Sequence, residues 1–154
     1  MSKAGRGRKG LDMVDITGKK DVRREAVAEG RIRLKPGTIA AIKRGRLGKG
    51  DALEVSRVAG IMAAKRTPEL IPACHVIPIT RVSVDFGLSR GHIKATCRVT
   101  SVSKTGVEME ALTGVSVALL SIWDMVKELE KDEKGQYPTV AIESIRVLRK
   151  VKGS

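Results

Sequence analysis

Residues 79–102 read ITRVSVDFGLSRGHIKATCRVTSV. Residues 79–88 and 92–102 read as two strands, and Ser89-Arg90-Gly91 joins them as a hairpin with glycine at its tip. A hairpin is an antiparallel pair, and the remaining elements are read around an antiparallel sheet. Just downstream, Lys104-Thr105-Gly106-Val107-Glu108-Met109-Glu110-Ala111-Leu112-Thr113 sets two carboxylates at the mouth of an apolar helix, directly after a glycine turn. That helix is predicted over 107–130, with Leu112, Val115, Leu119, Ile122 and Val126 as its apolar stripe. Upstream, Pro68, Pro72 and Pro78 predict a shaped loop without helix. Before the loop, Gly50-Asp51 opens a helix to about residue 66, with Leu53, Val58, Ile61 and Met62 as its apolar side and Lys65 and Arg66 at its end.

The first part of the chain supplies one more strand and one short helix. Residues 24–34 alternate, with Ala26, Ala28, Gly30, Ile32 and Leu34 on one side and charged Glu25, Glu29, Arg31 and Arg33 mostly on the other. Pro36 is well placed in the first turn of a helix through residue 42. After a charged connection over 131–135, residues 139–151 give the last strand. Strands and helices intermixed around an antiparallel sheet make an α+β fold.

A chain of 154 residues is the usual size of one domain, expected here over 13–154 behind a basic, glycine-rich arm at 1–12 that has the composition of a flexible segment. No apolar run approaches the roughly 20 residues needed to cross a bilayer, and no signal segment follows the basic N-terminus, so the expected compartment is the cytoplasm, with no membrane partner. The formal net charge is +13, and it is uneven: residues 1–49 hold 15 Lys or Arg against 5 Asp or Glu. Such an excess calls for an anionic partner. The chain has only one Phe, one Trp and one Tyr, namely Phe86, Trp123 and Tyr137, too few ring faces for a protein that stacks bases. Cys74 and Cys97 form no CxxC pair, so neither a zinc site nor a disulfide framework is expected, and Cys74 reads as a small apolar residue.

Asp124 and Lys127 lie three apart on the long helix and share a face. That spacing serves an exposed ion pair equally well, but Asp124 follows Ile122 and Trp123 at a level where the apolar stripe should still face a core or a partner. A charge placed there needs a partner charge, and such pairing beside a cleft is how reactive groups acquire shifted pKa values. Glu108 and Glu110 serve as helix-end charges or as binding groups.

Three further segments, read in order with the Glu108 block, resemble one family. They are Ala59-Gly60-Ile61-Met62-Ala63-Ala64-Lys65-Arg66-Thr67, Leu70-Ile71-Pro72-Ala73-Cys74-His75 and Ser121-Ile122-Trp123-Asp124-Met125-Val126-Lys127. Together they resemble the cyclic pyranopterin monophosphate synthases of molybdenum cofactor biosynthesis, from about residue 13 to residue 150. The resemblance implies a ferredoxin-like sheet packed with helices and a lyase reaction. A cyclised dihydroguanosine triphosphate is rearranged to a pterin bearing a cyclic phosphate, and diphosphate leaves. It also implies that Asp124, Lys127 and Lys49 are catalytic. Ala73, Cys74, His75, Met109 and Glu110, with Glu108 beside them, would contact substrate, while Arg24, Lys65, Arg66 and Lys150 would hold phosphate oxygens. A carboxylate suits the N–H edge of a guanine-derived ring, and Lys49 and Lys127, set among cations, would have lowered pKa values fit for proton transfer.

The same resemblance implies a homohexamer built as a trimer of dimers, with sites shared at the dimer interface. No cofactor is required; magnesium would enter only with the diphosphate, and no ligand set for a metal stands out. The competing readings are a basic RNA-binding module and a nucleotide-binding scaffold without catalysis. Glu108 and Glu110 speak against an RNA surface, because carboxylates repel phosphate.

Overall fold

In a computed structural model, residues 9–154 are described; the preceding eight, and with them most of the expected basic arm, lie outside the described residues. The elements run β1 (Val22–Arg33), α1 (Pro36–Lys43), α2 (Ala52–Lys65), α3 (Thr67–Leu70), β2 (Ile79–Leu88), β3 (His92–Ser103), α4 (Glu108–Glu130) and β4 (Ala141–Lys152). The four strands form one sheet in the order β2-β3-β1-β4, and every neighbouring pair is antiparallel. That order, with helices between β1 and β2 and between β3 and β4, is the ferredoxin-like arrangement.

Alternation in β1 sorts its side chains as expected. Ala26, Ala28 and Ile32 are fully buried under the helical layer, and the charged set faces the other way. There Glu25 gathers three guanidinium groups, from Arg23 at 3.1 Å, Arg98 at 2.8 Å and Arg149 at 2.9 Å. The open face of the sheet thus holds part of the basic excess as an ion-pair network. Alignment with β4 is less regular: its register slips twice against β1, and Ser144 takes a left-handed backbone conformation at φ 57° beside the second slip.

Helix α4 is the core helix. By length and composition it could cross a membrane, but Ala111, Val115, Ala118, Leu119, Ile122 and Val126 are buried against the sheet and α2. Its last residue, Glu130, is wholly buried. The carboxylate accepts from the Lys35 N–H at 3.2 Å and from the Thr38 hydroxyl, so it closes the open N-terminus of α1.

Two local expectations fail. Residues 67–70 are helical despite the neighbouring prolines, because Pro68 occupies the first turn, where its missing N–H has no intrahelical partner to lose. More important, the predicted apolar side of α2 is not its buried side. Val58 and Met62 are exposed and Leu53 and Ile61 only half-buried, while Ala52, Ser56, Gly60, Ala63 and Ala64 face inward. The reason is close packing. A Cβ on Gly60 would lie 2.9 Å from the carbonyl oxygen of Gly114, and one on Gly114 would lie 2.6 Å from Cys97 Sγ. Small residues let the two helices meet near backbone contact, which larger side chains on that face would prevent.

Gly60→Ala is expected to destabilise the protein by about 1–3 kcal/mol, the usual cost of overpacking, even though alanine is the better helix former. Chemical denaturation compared with Gly37→Ala, where a Cβ meets nothing within 4 Å, checks this.

Candidate active site

Two clusters of polar side chains lie at different levels of α4. At its N-terminal end, Val107 precedes the helix without a side-chain cap, and Glu108 and Glu110 occupy the first turn. Register places Lys150 of β4 opposite Ala26, and its Nζ reaches Glu108 Oε1 at 2.9 Å. Arg24 stands nearby on β1. Its Nη2 donates to the Lys104 carbonyl at 3.4 Å, while its buried Nε has no partner among the described residues.

The two carboxyls next to one another are pushed in opposite directions. Burial alone would raise Glu108, but the hydrogen bond and charge of Lys150, with Arg24 behind it, bring its pKa below the ordinary value of 4.5. Glu110 is 1% exposed and is raised, by burial first, with the charge of Glu108 adding to it. Its Oε1 accepts a long contact from Cys74 Sγ at 3.7 Å, and its buried Oε2 has no partner among the described residues. Two neighbouring carboxyls are thus driven apart by their surroundings, the pattern by which chemically similar groups come to differ in how readily they hold a proton. Burial and the Glu110 carboxylate raise Cys74, so the thiol is not activated. His75, next in the chain, meets the Val14 carbonyl through Nε2 at 2.6 Å, Ala73 is exposed beside them, and Met109 is exposed on the helix surface.

The second cluster is built on Asp124. Lys127 Nζ bonds Asp124 Oδ1 at 2.9 Å, and Lys49 Nζ lies 3.5 Å from Oδ2 and 3.1 Å from the Asp124 carbonyl oxygen. Lys49 reaches this point from the turn before α2, where Gly50 takes φ +105°, a conformation that favours glycine. Trp123 packs edge-on against Tyr137, with ring centroids 5.5 Å apart, and fixes this level of the helix. The expected lowering of the Lys127 pKa is overturned. The hydrogen bond that Lys127 donates to Asp124, then the carboxylate's charge, raises Lys127, and the same contact lowers Asp124. The nearest charge to Lys127 is the carboxylate, not another cation.

Lys65 and Arg66 do not share a pocket. Successive residues on a helix point about 100° apart, so Lys65 borders a cleft of about 360 Å³ with Ile77, Ile79 and Arg81, and Arg66 borders another with Met62, Leu70 and Val117. Nor does the chain bring the two clusters together. Glu110 and Asp124 are fourteen residues apart on one helix, about 21 Å along its axis. Among the described residues no group of three or more His, Cys, Asp or Glu is placed to hold a metal ion. Sequence reading passed over Lys104 and the Val14 carbonyl, for which no local pattern offers a signal, and the burial of Glu110, for which the apolar neighbours Ala111 and Leu112 were the available hint.

A family model described as the MoaC family matches residues 13–153. A protein of Thermococcus kodakarensis named "Probable cyclic pyranopterin monophosphate synthase" is 60% identical over 145 residues, covering 94% of this chain and 93% of that protein. Proteins of the same name from Methanoregula boonei and Archaeoglobus fulgidus are 61% and 60% identical, each over 141 residues, covering 92% of this chain and 91% and 90% of theirs.

The raised Glu110 gives a pH-dependent prediction. The unfolded chain releases this proton near the ordinary 4.5 and the folded chain only at higher pH. Across that window the group contributes a loss of stability as pH rises. Relative to the parent, Glu110→Gln is therefore expected to be more stable at pH 7 than at pH 4, as read from denaturation midpoints.

Proposed function

The chain belongs to the MoaC family, and from that membership we propose that it is a cyclic pyranopterin monophosphate synthase. It is a lyase of molybdenum cofactor biosynthesis that converts a cyclised dihydroguanosine triphosphate to cyclic pyranopterin monophosphate and releases diphosphate. The observation that carries this reading beyond the names is the convergence of Lys49 and Lys127 on Asp124 from segments far apart in the chain. A solvated ion pair needs one lysine, and exposed pairs of this kind stabilise a fold by little.

The roles follow from the resting charges. Asp124 rests ionised, so it can accept a proton but not give one, and Lys127 rests as an ammonium, able to donate one or to neutralise developing charge. Lys49, on a glycine-flanked turn, approaches the same point from the other side. At the other end of α4, Glu110 offers its Oε2, without a partner among the described residues, to the N–H edge of the ring, beside Met109, Ala73, Cys74 and His75. Arg24 and Lys150 supply cations there, and Lys65 at the end of α2 and Arg66 just after it are further cations for phosphate oxygens, each from its own cleft. Magnesium would arrive with the diphosphate rather than on a ligand set of the protein.

A separation of about 21 Å along the helix also bears on assembly. A substrate held at Glu110 can reach Asp124 most simply on a second copy whose α4 runs the opposite way, as a two-fold axis produces. This supports sites shared across a dimer; the trimer of such dimers rests on the family resemblance.

Turnover is tested by anaerobic incubation with the cyclised triphosphate, following diphosphate release and the fluorescent oxidised pterin. Asp124→Ala, expected to fold because the side chain is exposed, should lower the rate by at least about 100-fold, the scale of a lost acid–base group. Binding without turnover in the parent would leave a nucleotide-binding scaffold.

Mixing subunits tests the shared site. Asp124→Ala and Glu110→Ala, each inactive alone, should recover about a quarter of parental activity after dissociation and reassociation, since half of randomly formed dimers would carry one intact site of two. Sites contained within one protomer would give no recovery.

A further inference from the structure

Residues 9–21 reach β1 without forming a helix or strand, and two side chains from distant loops hold this segment by its backbone. His75 donates from Nε2 to the Val14 carbonyl at 2.6 Å, and Lys104 donates from Nζ to the Thr17 carbonyl at 2.9 Å. A carbonyl can only accept, so the Val14 contact fixes a proton on Nε2 of His75. Between the two anchors the chain turns tightly. The Asp15 carboxylate accepts the Thr17 N–H at 2.8 Å, and the Lys19 N–H reaches the Ile16 carbonyl at 3.0 Å. Ile16 is the one residue of 9–21 that is even partly buried. The grip is therefore almost wholly polar.

Both anchors belong to the cluster at the start of α4. Lys104 accepts from Arg24 through its carbonyl, and His75 follows Cys74, which touches Glu110. Two donors of the cluster are thus satisfied by neutral carbonyls. Hydrogen bonds to an ionised acceptor are shorter and roughly twice as strong, so an anion entering the cluster competes directly for both.

We propose that residues 13–17 are a strap that occupies His75 and Lys104 and is released when diphosphate oxygens take those two donors, which makes Lys104 a ligand-binding residue. The inference rests on the proposed function for the identity of the ligand, not for the existence of the strap. Release is local: the contacts broken are two hydrogen bonds and one half-buried isoleucine, so the sheet and helices need not move.

Limited trypsin digestion of the full-length protein tests this, by following with mass spectrometry the cleavage after Lys19 and Lys20, just beyond the strap. Inorganic diphosphate is the probe, and calorimetry on the same preparation reports its binding. Saturating diphosphate should speed this cleavage at least about fivefold, the factor that corresponds to losing one ordinary hydrogen bond. Lys104→Ala should be cleaved at the faster rate without ligand, with little further change on adding it. Parental cleavage in ligand-free Lys104→Ala overturns the strap with no ligand involved. Diphosphate binding with unchanged or slower cleavage overturns it too and leaves the proposed function standing. Absence of diphosphate binding also overturns it, and turnover of the cyclised triphosphate by that preparation then decides the proposed function separately.

Discussion

The near-contact of α2 and α4 at Gly60 and Gly114 sets the geometry of everything around the candidate site. With a Cβ excluded at both positions, one helix rests almost on the backbone of the other, and Cys97 of the sheet closes the gap beneath. The helices run in opposite directions from this crossing. Eleven residues back from Gly60 is Lys49 and ten residues on from Gly114 is Asp124, so the two chains arrive at one level and the salt bridge forms. A larger residue at the crossing would change the spacing and register of the helices together. Tight packing makes this a discrete constraint, because interiors this dense have no room to absorb an added methyl.

A second constraint acts at the far end of α4. Glu130 is buried, and a buried carboxylate is tolerated only where donors satisfy it. The N–H of Lys35 and the hydroxyl of Thr38 do so. This locks the C-terminus of α4 to the N-terminus of α1 and thereby positions the turn that carries Lys49. Helix α4 is thus held at its middle by α2, at its end by α1 and along one side by the sheet. Its exposed polar groups are presented from a rigid rod, which is what precise placement of proton-transfer groups requires.

The electrostatics divide along the same rod. Near its start, burial acts on Glu110 and pairing on Glu108, with opposite results for two chemically similar carboxyls. Toward its end, Asp124 and its lysines stay in solvent and fix one another's charge. The two environments lie about four helical turns apart on this one helix.

Local pattern determined a large share of this protein. Alternation placed β1, the glycine hairpin paired β2 with β3, Pro36 and Asp51 opened their helices, and the i, i+3 spacing foretold the Asp124–Lys127 pair, because each of these depends on residues within a turn or two of one another. Residue types matching a family supplied Lys49, Arg24, Lys150 and the Cys74-His75 segment as candidates without saying what each touches. Tertiary structure alone decided that Lys49 meets Asp124 across 75 residues, that Lys150 pairs with Glu108, and that the Val14 carbonyl holds His75. It also reversed the buried side of α2. The large apolar residues there looked like the core, but burial is set by how closely a second helix can approach, and that distance is a property of two surfaces that no single stretch of sequence contains.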